Sequence, residues 1–486
     1  MIQLIKYLLF LILLISVKSY GTDTRSYAYY DSLTYDLYTH QQWKNLTIAG
    51  KDALSEGYDY YYLRIRIGVA YYELNNYRQS IYHLRKALQF NSADPVASEY
   101  LYYGLLKSGQ NEEASLIALK HPSAAVPKYK TLEFIYTEGG YTPDAIKGHQ
   151  AIGLMRSDRI YGEEDTYAAQ TYFHIGAGVH VLPSLSCYLG YSNLNIGKEK
   201  HIAGSTFLNH LDSTSITDTI IAYFSSYGKI FDTLIPYKVK QQEFYFSAKW
   251  IPRSGLSITP AFHYISGTLQ TYTPAYRLVP DTVFIAAFDT TWPVNYAASS
   301  HYTIGRQQNN FSNFVVSLAA TMEWHNFSLG INGTYASLAS SGKQEQIGAM
   351  ATWFPFGNLN LYETTSLTGF FNKGDKRLIY NQTVGGKIAP KLWLEGLLTI
   401  GDLSLYNENN AFIVYNLSDR ITMRTGSNMI FSINRHLDLS LMYRFYTKEY
   451  DYLYYRITAV GKPPEPLTIR NKYSNHSIIG GLKWKL

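Results

Sequence analysis

Apolar and polar residues alternate along most of the chain from about residue 130 onward. The run 311–324 is typical: from residue 314 every second residue is apolar, and the residues between are mostly small or polar. Its apolar positions are Phe314, Val316, Leu318, Ala320, Met322 and Trp324. A period of two places successive side chains on opposite faces of a β-strand, so this pattern predicts strands with one apolar face.

Short turn sequences separate these alternating runs in pairs. They lie at 183–184, 252–255, 325–326, 355–358, 390–391 and 434–436. With a first strand at 131–138 and a last at 475–486, the pattern predicts about 14 antiparallel strands in about seven hairpins. The connections at the other end are longer, at 139–165, 197–237, 268–310 and 447–474. This asymmetry is typical of membrane β-barrels. We therefore expect the start of the first strand and the end of the last strand to lie in the periplasm, and the long loops to face outside.

The last eleven residues, 476–486, form a strand whose alternate positions carry Leu482, Trp484 and Leu486. Lys483 and Lys485 lie on its other face. This strand resembles the C-terminal signature strand of bacterial outer-membrane β-barrels, with Leu486 in place of the usual Phe. We therefore expect it to close the barrel by pairing with 131–138. The three apolar residues are then membrane-assembly residues, which contact lipid and are recognised by the barrel-assembly machinery.

Residues 28–121 have helical spacing instead of alternation. Two faces, joined by a turn at Asn75-Asn76, carry Ile67, Gly68 and Tyr71 and then Ser80, Leu84 and Ala87. This resembles a tetratricopeptide (TPR) repeat, in which small residues let two antiparallel helices approach closely. A looser copy follows at 101–118, and a half copy precedes it at Trp43, Leu46, Gly50 and Ala53. The alternative is a plain helical hairpin.

The first 21 residues have the pattern of a secretory signal peptide. Lys6 precedes an apolar run at 7–15, and the small residues Ser16, Ser19 and Gly21 follow. The run is too short to span a bilayer, which takes about 20 residues. The predicted organisation is therefore a signal peptide at 1–21, a periplasmic TPR-like domain at 28–121, a linker at 122–129 and an outer-membrane barrel at 130–486.

Composition agrees with a membrane barrel and excludes several function classes. Tyrosine is abundant, at 47 residues, and charged residues make up only 16% of the chain. Tyrosine is favoured at lipid–water boundaries, and low charge argues against disorder. The net charge of +6 comes without a dense basic cluster, so nucleic-acid binding is not expected. Cys187 is the single cysteine, so neither an intrachain disulfide nor a thiolate metal cluster is expected, and no cofactor is implied.

No strong catalytic motif is present in the sequence. Phosphate-binding loops, HExxH and GxSxG are all missing from it. Some outer-membrane barrels are lipid or ester hydrolases built from His and Ser or Asp, and His174, His263 and Ser266 are the residues available for such a role. A lone histidine on a polar strand face is ordinary, so we expect no enzyme activity.

Charged residues of both signs fall on the strand faces predicted to line the lumen. They are Lys249, Glu323, Glu395, Arg420, Arg424, Asp438, Arg444, Lys483 and Lys485. Such residues form either a selectivity lining or a network of cross-strand ion pairs that fills the interior. The second interpretation is favoured.

The TPR-like unit offers a surface for a partner. TPR repeats present a concave face to peptides or proteins, and the predicted register places Tyr62, Val69, Tyr72 and Tyr103 on it. Tyrosine provides a large contact area and loses little rotamer entropy on binding. The alternative is that these side chains pack against neighbouring helices or the barrel rim.

The complete arrangement of signal peptide, short TPR segment and C-terminal barrel resembles the YaiO-type family of outer-membrane proteins. It is also similar to exopolysaccharide-export porins, although their TPR arrays are typically much longer. The leading hypothesis is a non-enzymatic barrel whose periplasmic TPR module docks or scaffolds an envelope protein. The alternatives are a transport pore for exopolysaccharide export and a barrel-borne lipid or ester hydrolase.

Overall fold

The computed structural model describes residues 25–120, 131–144, 159–216, 219–287, 290–339, 341–416, 419–456 and 465–486. The signal peptide predicted at 1–21 and the linker predicted at 122–129 lie outside these residues. The chain divides into two compact units, Met1–Leu105 and Leu106–Leu486.

The first unit is helical. Its helices are α1 (Tyr27–Thr39), α2 (Trp43–Ser55), α3 (Tyr61–Glu73), α4 (Tyr77–Phe90) and α5 (Pro95–Lys107), the last of which ends just beyond the unit. Their core includes Tyr30, Leu46, Leu63 and Ile67, all buried. None of the described helices has the length and apolarity needed to span a bilayer.

The hairpin of α3 and α4 confirms the predicted turn and close packing. Asn75 has a positive φ of 59°, and Asn76 caps α4 by accepting a hydrogen bond from the backbone N–H of Gln79 at 3.2 Å. The hydroxyl of Ser80 donates to the carbonyl of Gly68 at 2.8 Å. A Cβ at Gly68 would lie 2.7 Å from Leu84 Cδ2, so only glycine permits this approach of the two helices.

The second unit contains helix α6 (Asn111–Lys120) and the strands. The strands are β1 (Leu132–Thr142), β2 (Arg159–Leu182), β3 (Leu185–Ile216), β4 (Thr219–Arg253), β5 (Leu256–Ala287), β6 (Thr290–Trp324), β7 (Phe327–Leu338), β8 (Gly342–Trp353), β9 (Leu361–Asn372), β10 (Asp375–Ala389), β11 (Leu392–Ile400), β12 (Asn407–Glu408), β13 (Ile413–Val414), β14 (Arg420–Ser432), β15 (Leu437–Arg456) and β16 (Glu465–Lys485). All except β12 and β13 form one closed antiparallel barrel of fourteen strands, which confirms the predicted fold.

Pairing of the last strand with the first closes the barrel, as predicted. Phe134 lies opposite Lys485, and Tyr141 lies opposite Ile478. The end at which β1 begins and β16 ends, together with the short hairpin turns, is called the terminal end below. The end with the other connections is called the opposite end.

The outer face of the barrel carries a belt of exposed apolar side chains. Leu439, Leu441 and Tyr443 are 42%, 44% and 40% exposed, and the residues between them point into the lumen. Leu482, Trp484 and Leu486 belong to the same belt. A soluble monomer rarely exposes a contiguous apolar surface of this size to water, whereas the hydrocarbon core of a bilayer requires an apolar surface. The belt is therefore the outer face of a membrane-spanning barrel.

The prediction of long irregular loops at 197–237 and 268–310 is wrong. These stretches continue the strands of the β3–β4 and β5–β6 hairpins, which remain paired to Ile216↔Thr219 and Ala287↔Thr290. The connection predicted at 447–474 is likewise mostly strand. Beyond the bilayer no apolar outer face is needed, so the period of two fades although the strands continue.

Shorter strands leave backbone edges unpaired at the opposite end, and two of these edges pair with each other. The end of β15 pairs with the start of β2, with Leu453 opposite Glu163 and Tyr455 opposite Tyr161. This pairing satisfies backbone groups that β1 and β14 do not reach.

Helix α6 is fixed to two hairpin turns at the terminal end by its first two carboxylates. Glu112 accepts hydrogen bonds from Lys249 Nζ at 2.7 Å and Ser186 Oγ at 3.0 Å. Glu113 accepts from the backbone N–H of Gly255 at 3.0 Å and from the hydroxyl of Ser254. The predicted lumen residue Lys249 therefore pairs with a helix.

We expect attachment of α6 to weaken in acid. Burial raises the pKa of Glu112, but the positive charge of Lys249 and the hydrogen bonds that Glu112 accepts lower it by more. The net pKa therefore lies below the ordinary value of 4.5. A lowered pKa stabilises the attached state above pH 4.5, and this contribution is lost as the pH falls through the folded-state value. Hydrogen exchange of the α6 amides, corrected for intrinsic rates, should accelerate between about pH 6 and about pH 3. Glu112→Gln should remove that dependence; an unchanged dependence in the variant would assign it elsewhere.

Candidate functional site

Residues 401–416, which connect β11 to β14, fold into the barrel instead of projecting from it; they are called the lumen segment below. Its two short strands, β12 and β13, pair with Asn407 opposite Val414. The turn between them contains three successive residues with positive φ, Asn409, Asn410 and Ala411. Asparagine tolerates this conformation, whereas alanine adopts it with strain.

An ion pair holds the base of the lumen segment. The guanidinium of Arg424, on β14, donates to both carboxylate oxygens of Glu408 at 2.5 and 2.7 Å. It also donates to the hydroxyls of Tyr415 at 2.5 Å and Thr399 at 2.7 Å. Arg424 is only 5% exposed, so its charge depends on these partners.

Side chains from the wall bind the backbone of the same segment. Arg377, on β10, donates to the carbonyls of Asp402 at 3.1 Å and Ser404 at 3.0 Å. Gln344, on β8, donates to the carbonyl of Leu405 at 2.7 Å. These contacts give carbonyl groups of an irregular stretch partners inside the barrel.

Apolar contacts also connect the segment to the wall. One cluster comprises Leu403, Tyr406 and Tyr415 of the segment with Phe370, Ile379 and Ile421 of the wall. A second comprises Ala411 of the segment with Val315, Ala336 and Leu338 of the wall. The base and the turn are therefore seated on different strands.

The tip of the segment reaches strands β2 to β5. The Phe412 ring centroid lies 5.0 Å from that of Tyr245, 5.2 Å from that of His174 and 6.3 Å from that of Tyr188. His263 Nδ1 donates to the carbonyl of Ala411 at 2.7 Å, because a carbonyl only accepts. The Tyr245 hydroxyl donates to the carbonyl of Asn410 at 3.2 Å.

The rings around Phe412 are held in place by their own hydrogen bonds and by two glycines. His174 forms a hydrogen bond at each ring nitrogen: Nδ1 lies 2.9 Å from Ser192 Oγ, and Nε2 lies 2.6 Å from the Tyr188 hydroxyl oxygen. Gly176 and Gly190 lie opposite each other on β2 and β3. A Cβ at Gly190 would lie 2.6 Å from His174 Cε1, and one at Gly176 would lie 2.2 Å from the Tyr188 oxygen. Both glycines make room for rings that lie flat against the wall.

Gly190→Ala should therefore destabilise the barrel by about 1–3 kcal/mol, the usual effect of overpacking. The added methyl group has to displace His174, which two hydrogen bonds hold in place. Gly480→Ala is the matched control, because a Cβ there meets nothing within 4 Å. Denaturant unfolding in detergent measures both; equal stability of the two variants would contradict the packing argument.

Together these contacts carry the lumen segment across the barrel. Its tip, residues 409–412, contacts β2 to β5 through Asn410, Ala411 and Phe412, and β6 and β7 through Ala411. Its base, the residues on either side of the tip, contacts β8 to β10 and β14. A solute passing through the lumen has to pass this segment.

The other predicted lumen residues lie mostly in pairs. Glu395 accepts from Asn428 at 2.6 Å and from the hydroxyl of Tyr362. Arg444 donates to the carbonyl of Ser427 at 3.1 Å.

The remaining charged residues lie near the two ends of the barrel. Lys485 pairs with Asp438 at 2.8 Å, and Lys483 Nζ lies 3.8 Å from the Phe134 ring centroid. Glu323 accepts from Ser328 at 3.1 Å. At the opposite end Arg420 pairs with Asp402 at 3.0 Å and Glu449 at 3.6 Å.

The four predicted partner-binding residues have different environments in the helical unit. Tyr62 is 60% exposed, whereas Val69 is 1% exposed and lies in the core. Tyr72 makes edge contacts with Tyr77 and Tyr100, and Tyr103 makes one with Tyr102. Of this set, Tyr62 offers the most surface to a partner.

The residues considered for hydrolysis do not assemble into a triad. His174 and His263 point into the lumen, but Ser266 has the strand parity of the outward residues Phe262 and Tyr264. Ser192, which sequence reasoning missed, bonds to His174, but the second nitrogen of that ring meets a phenol and not a carboxylate. Within the described part of the chain, no three His, Cys, Asp or Glu side chains are grouped to hold a metal.

No family model and no curated protein matches the chain, so the YaiO-type resemblance stays a prediction. Solved structures with a similar fold are outer-membrane barrels. The deltaS2S3 mutant of the monoaromatic hydrocarbon channel TodX is 7% identical, with a TM-score of 0.40 over 74% of this chain and 91% of that one. A Pseudomonas aeruginosa FadL homologue is 9% identical, with a TM-score of 0.35 over 78% and 97%. Acinetobacter baumannii Omp33 is 9% identical, with a TM-score of 0.30 over 74% and 100%. At these values the likeness carries no argument about function.

Proposed function

We propose that this protein is a gated transport pore of a bacterial outer membrane. The observation that carries the proposal is the lumen segment, which contacts the wall at its tip and at its base and crosses the lumen. A barrel that served only as an anchor needs a filled interior, but it needs no separate segment with a distinct tip and base.

The membrane location rests on the closed barrel and its apolar belt. Closed barrels leave no unpaired strand edge in lipid, and bacterial barrels of this kind occupy the outer membrane. In that location the terminal end faces the periplasm, the helical unit is periplasmic, and the opposite end faces outside.

The tip of the lumen segment is suited to movement. It carries three successive residues with positive φ, and Ala411 in that conformation is strained by roughly 1–3 kcal/mol. Two hydrogen bonds and the Phe412 ring attach it to β2 to β5, and Ala411 packs against β6 and β7, whereas the base has a buried bidentate ion pair. We therefore propose that the tip swings while the base stays attached.

A shortened tip tests the proposal. Residues 409–412 are replaced by Asn-Gly, a two-residue turn that joins β12 to β13 and leaves the Glu408–Arg424 pair intact. In planar bilayers the single-channel conductance of this variant should exceed that of the unaltered protein several-fold. The exclusion size of neutral polymers then shows whether the opened bore admits a polysaccharide chain, the cargo of the export alternative.

Ala411→Gly is the matched control, because it keeps the length of the tip and Phe412 while relieving the strained φ of 65°. Its conductance should equal or fall below that of the unaltered protein. If the shortened tip conducts no better than Ala411→Gly, the lumen segment does not close the passage and the gate is disproved.

Docking of an envelope protein is the second candidate function, supported by one exposed aromatic face of the helical unit. The guanidinium carbon of Arg66 lies 5.2 Å from the Tyr35 ring and 5.7 Å from the Tyr62 ring, and both rings are more than half exposed. Photo-crosslinking in cells from Tyr62, with exposed Ile48 as the control position, should capture one defined partner from Tyr62 alone. The same products from both positions would contradict docking there.

A further inference from the structure

The wall beneath the tip of the lumen segment has the features of a binding site that the segment itself fills. Phe412 lies among the rings of His174, Tyr188 and Tyr245. Two carbonyls immediately before it in the chain accept hydrogen bonds from the same wall. We infer that β2 to β5 form a site for a neutral aromatic ligand with two carbonyl acceptors, and that Asn410–Phe412 is its internal ligand.

The donors that face the tip are matched to carbonyl oxygens. His263 Nδ1 reaches the carbonyl of Ala411, and the Tyr245 hydroxyl reaches that of Asn410. When the tip leaves, both donors lose their acceptors, and a buried donor without a partner is unfavourable. An entering molecule that supplies two carbonyls and one ring restores all three contacts.

The site does not depend on Phe412 for its shape. His174 is held through both ring nitrogens by Ser192 and Tyr188, and these three residues all belong to the wall. Gly176 and Gly190 provide the space in which the His174 and Tyr188 rings lie. A site whose residues are fixed before the ligand arrives loses less entropy on binding.

The charges around the site select against acidic ligands. The carboxylate of Glu243 lies 3.4 Å from His263 Nε2. The carboxylate of Glu138 accepts from the hydroxyl of Tyr172, whose ring stacks 6.4 Å from that of His174. A ligand carboxylate would meet these two negative groups beside the rings, so an amide is favoured over an acid.

The ligand can reach the ring pocket from the lumen, since Phe412 is only partly buried whereas Ala411 is 1% exposed. The chemical class that fits is a short acylated peptide amide with an aromatic side chain. This inference deepens the proposed gate, because occupation of the site by such a molecule would hold the tip away from the wall.

The probe is N-acetyl-alanyl-phenylalanine amide, whose two acyl carbonyls stand in for those of Asn410 and Ala411. Titration calorimetry with the full chain in detergent should show that the probe binds Phe412→Ala, in which the ring pocket is vacated, at least about tenfold more tightly than it binds the unaltered protein. The aliphatic analogue N-acetyl-alanyl-leucine amide and the free acid N-acetyl-alanyl-phenylalanine should each bind at least about fivefold more weakly. Equal affinity for the phenylalanine and leucine amides would overturn the site.

A second variant keeps the test independent of the folding of Phe412→Ala. In the shortened-tip variant, where residues 409–412 no longer occupy the site, Tyr245→Phe removes one donor and keeps the ring, so it should weaken binding of the phenylalanine amide by about two- to tenfold, the usual value of one hydrogen bond. Unchanged affinity would exclude the assigned contact. Calorimetry requires no current through the barrel, so binding without any change in conductance would disprove the gate alone, and gating without binding would disprove the site alone.

Discussion

Arg424→Met should release the base of the lumen segment and lower the free energy of unfolding by about 3–5 kcal/mol, the usual loss when one partner of a buried ion pair is removed. The substitution leaves the carboxylate of Glu408, 15% exposed, without its bidentate partner inside the barrel. It also removes the donors to Tyr415 and Thr399. We expect a lower unfolding midpoint in denaturant and more frequent channel openings in planar bilayers.

Arg420→Met is the matched control for this prediction. Arg420 lies on the same strand and also pairs with carboxylates, but its side chain is 45% exposed. Its partners Asp402 and Glu449 keep ion pairs with Arg377 and Lys472, so the substitution leaves no carboxylate unpaired and should cost clearly less than Arg424→Met. Equal effects of the two substitutions would show that the Glu408 pair has no special role. Restored stability in Arg424→Met combined with Glu408→Leu would show that the unpaired carboxylate, and not lost packing, caused the defect.

Leu441→Arg should impair insertion of the barrel into membranes. Leu441 lies on the outer face at the middle of the apolar belt of β15, between Leu439 and Tyr443. A charged side chain at the middle of a bilayer costs about 2–4 kcal/mol on a barrel surface. The folded fraction recovered with lipid vesicles, and the amount assembled in cells, should both fall sharply.

Thr468→Arg is the control for the outer face. Thr468 also points outward, but it pairs with Leu453, in the part of the β15–β16 hairpin farthest from the terminal end. There the outer surface meets water, and a surface substitution changes stability by no more than about 0.5 kcal/mol. Normal assembly of both variants would contradict a lipid-facing belt at Leu441.

Alternation and turn residues are enough to predict the barrel, because both report local geometry. Each strand that crosses the belt has to place apolar side chains on one face, and the sequence records this requirement at every second residue. The closing pair of β1 and β16 is predictable for the same reason, since it joins two ends that would otherwise be unpaired. Extension of the strands beyond the belt leaves no such record.

The lumen segment could not be predicted because its partners are distant in sequence. Phe412 packs against Tyr245, and His263 bonds to Ala411 across 148 positions. The local signal, Asn409-Asn410, indicates a turn but not the direction in which it points. Lys249 shows the same limit: its strand face was predictable, whereas its partner Glu112 lies 137 residues away on a helix.

In the proposed pore, the extended hairpins form a vestibule. Strand β3 has 32 residues, and at roughly 3.3 Å per residue and a tilt of about 45° it rises roughly 75 Å along the barrel axis. The hydrocarbon layer is only about 30 Å thick. More than half of this wall therefore stands in water at the opposite end, so a solute entering from that end first meets the surface of β3 to β6. Selection among solutes can thus begin well outside the bilayer, before the lumen segment is reached.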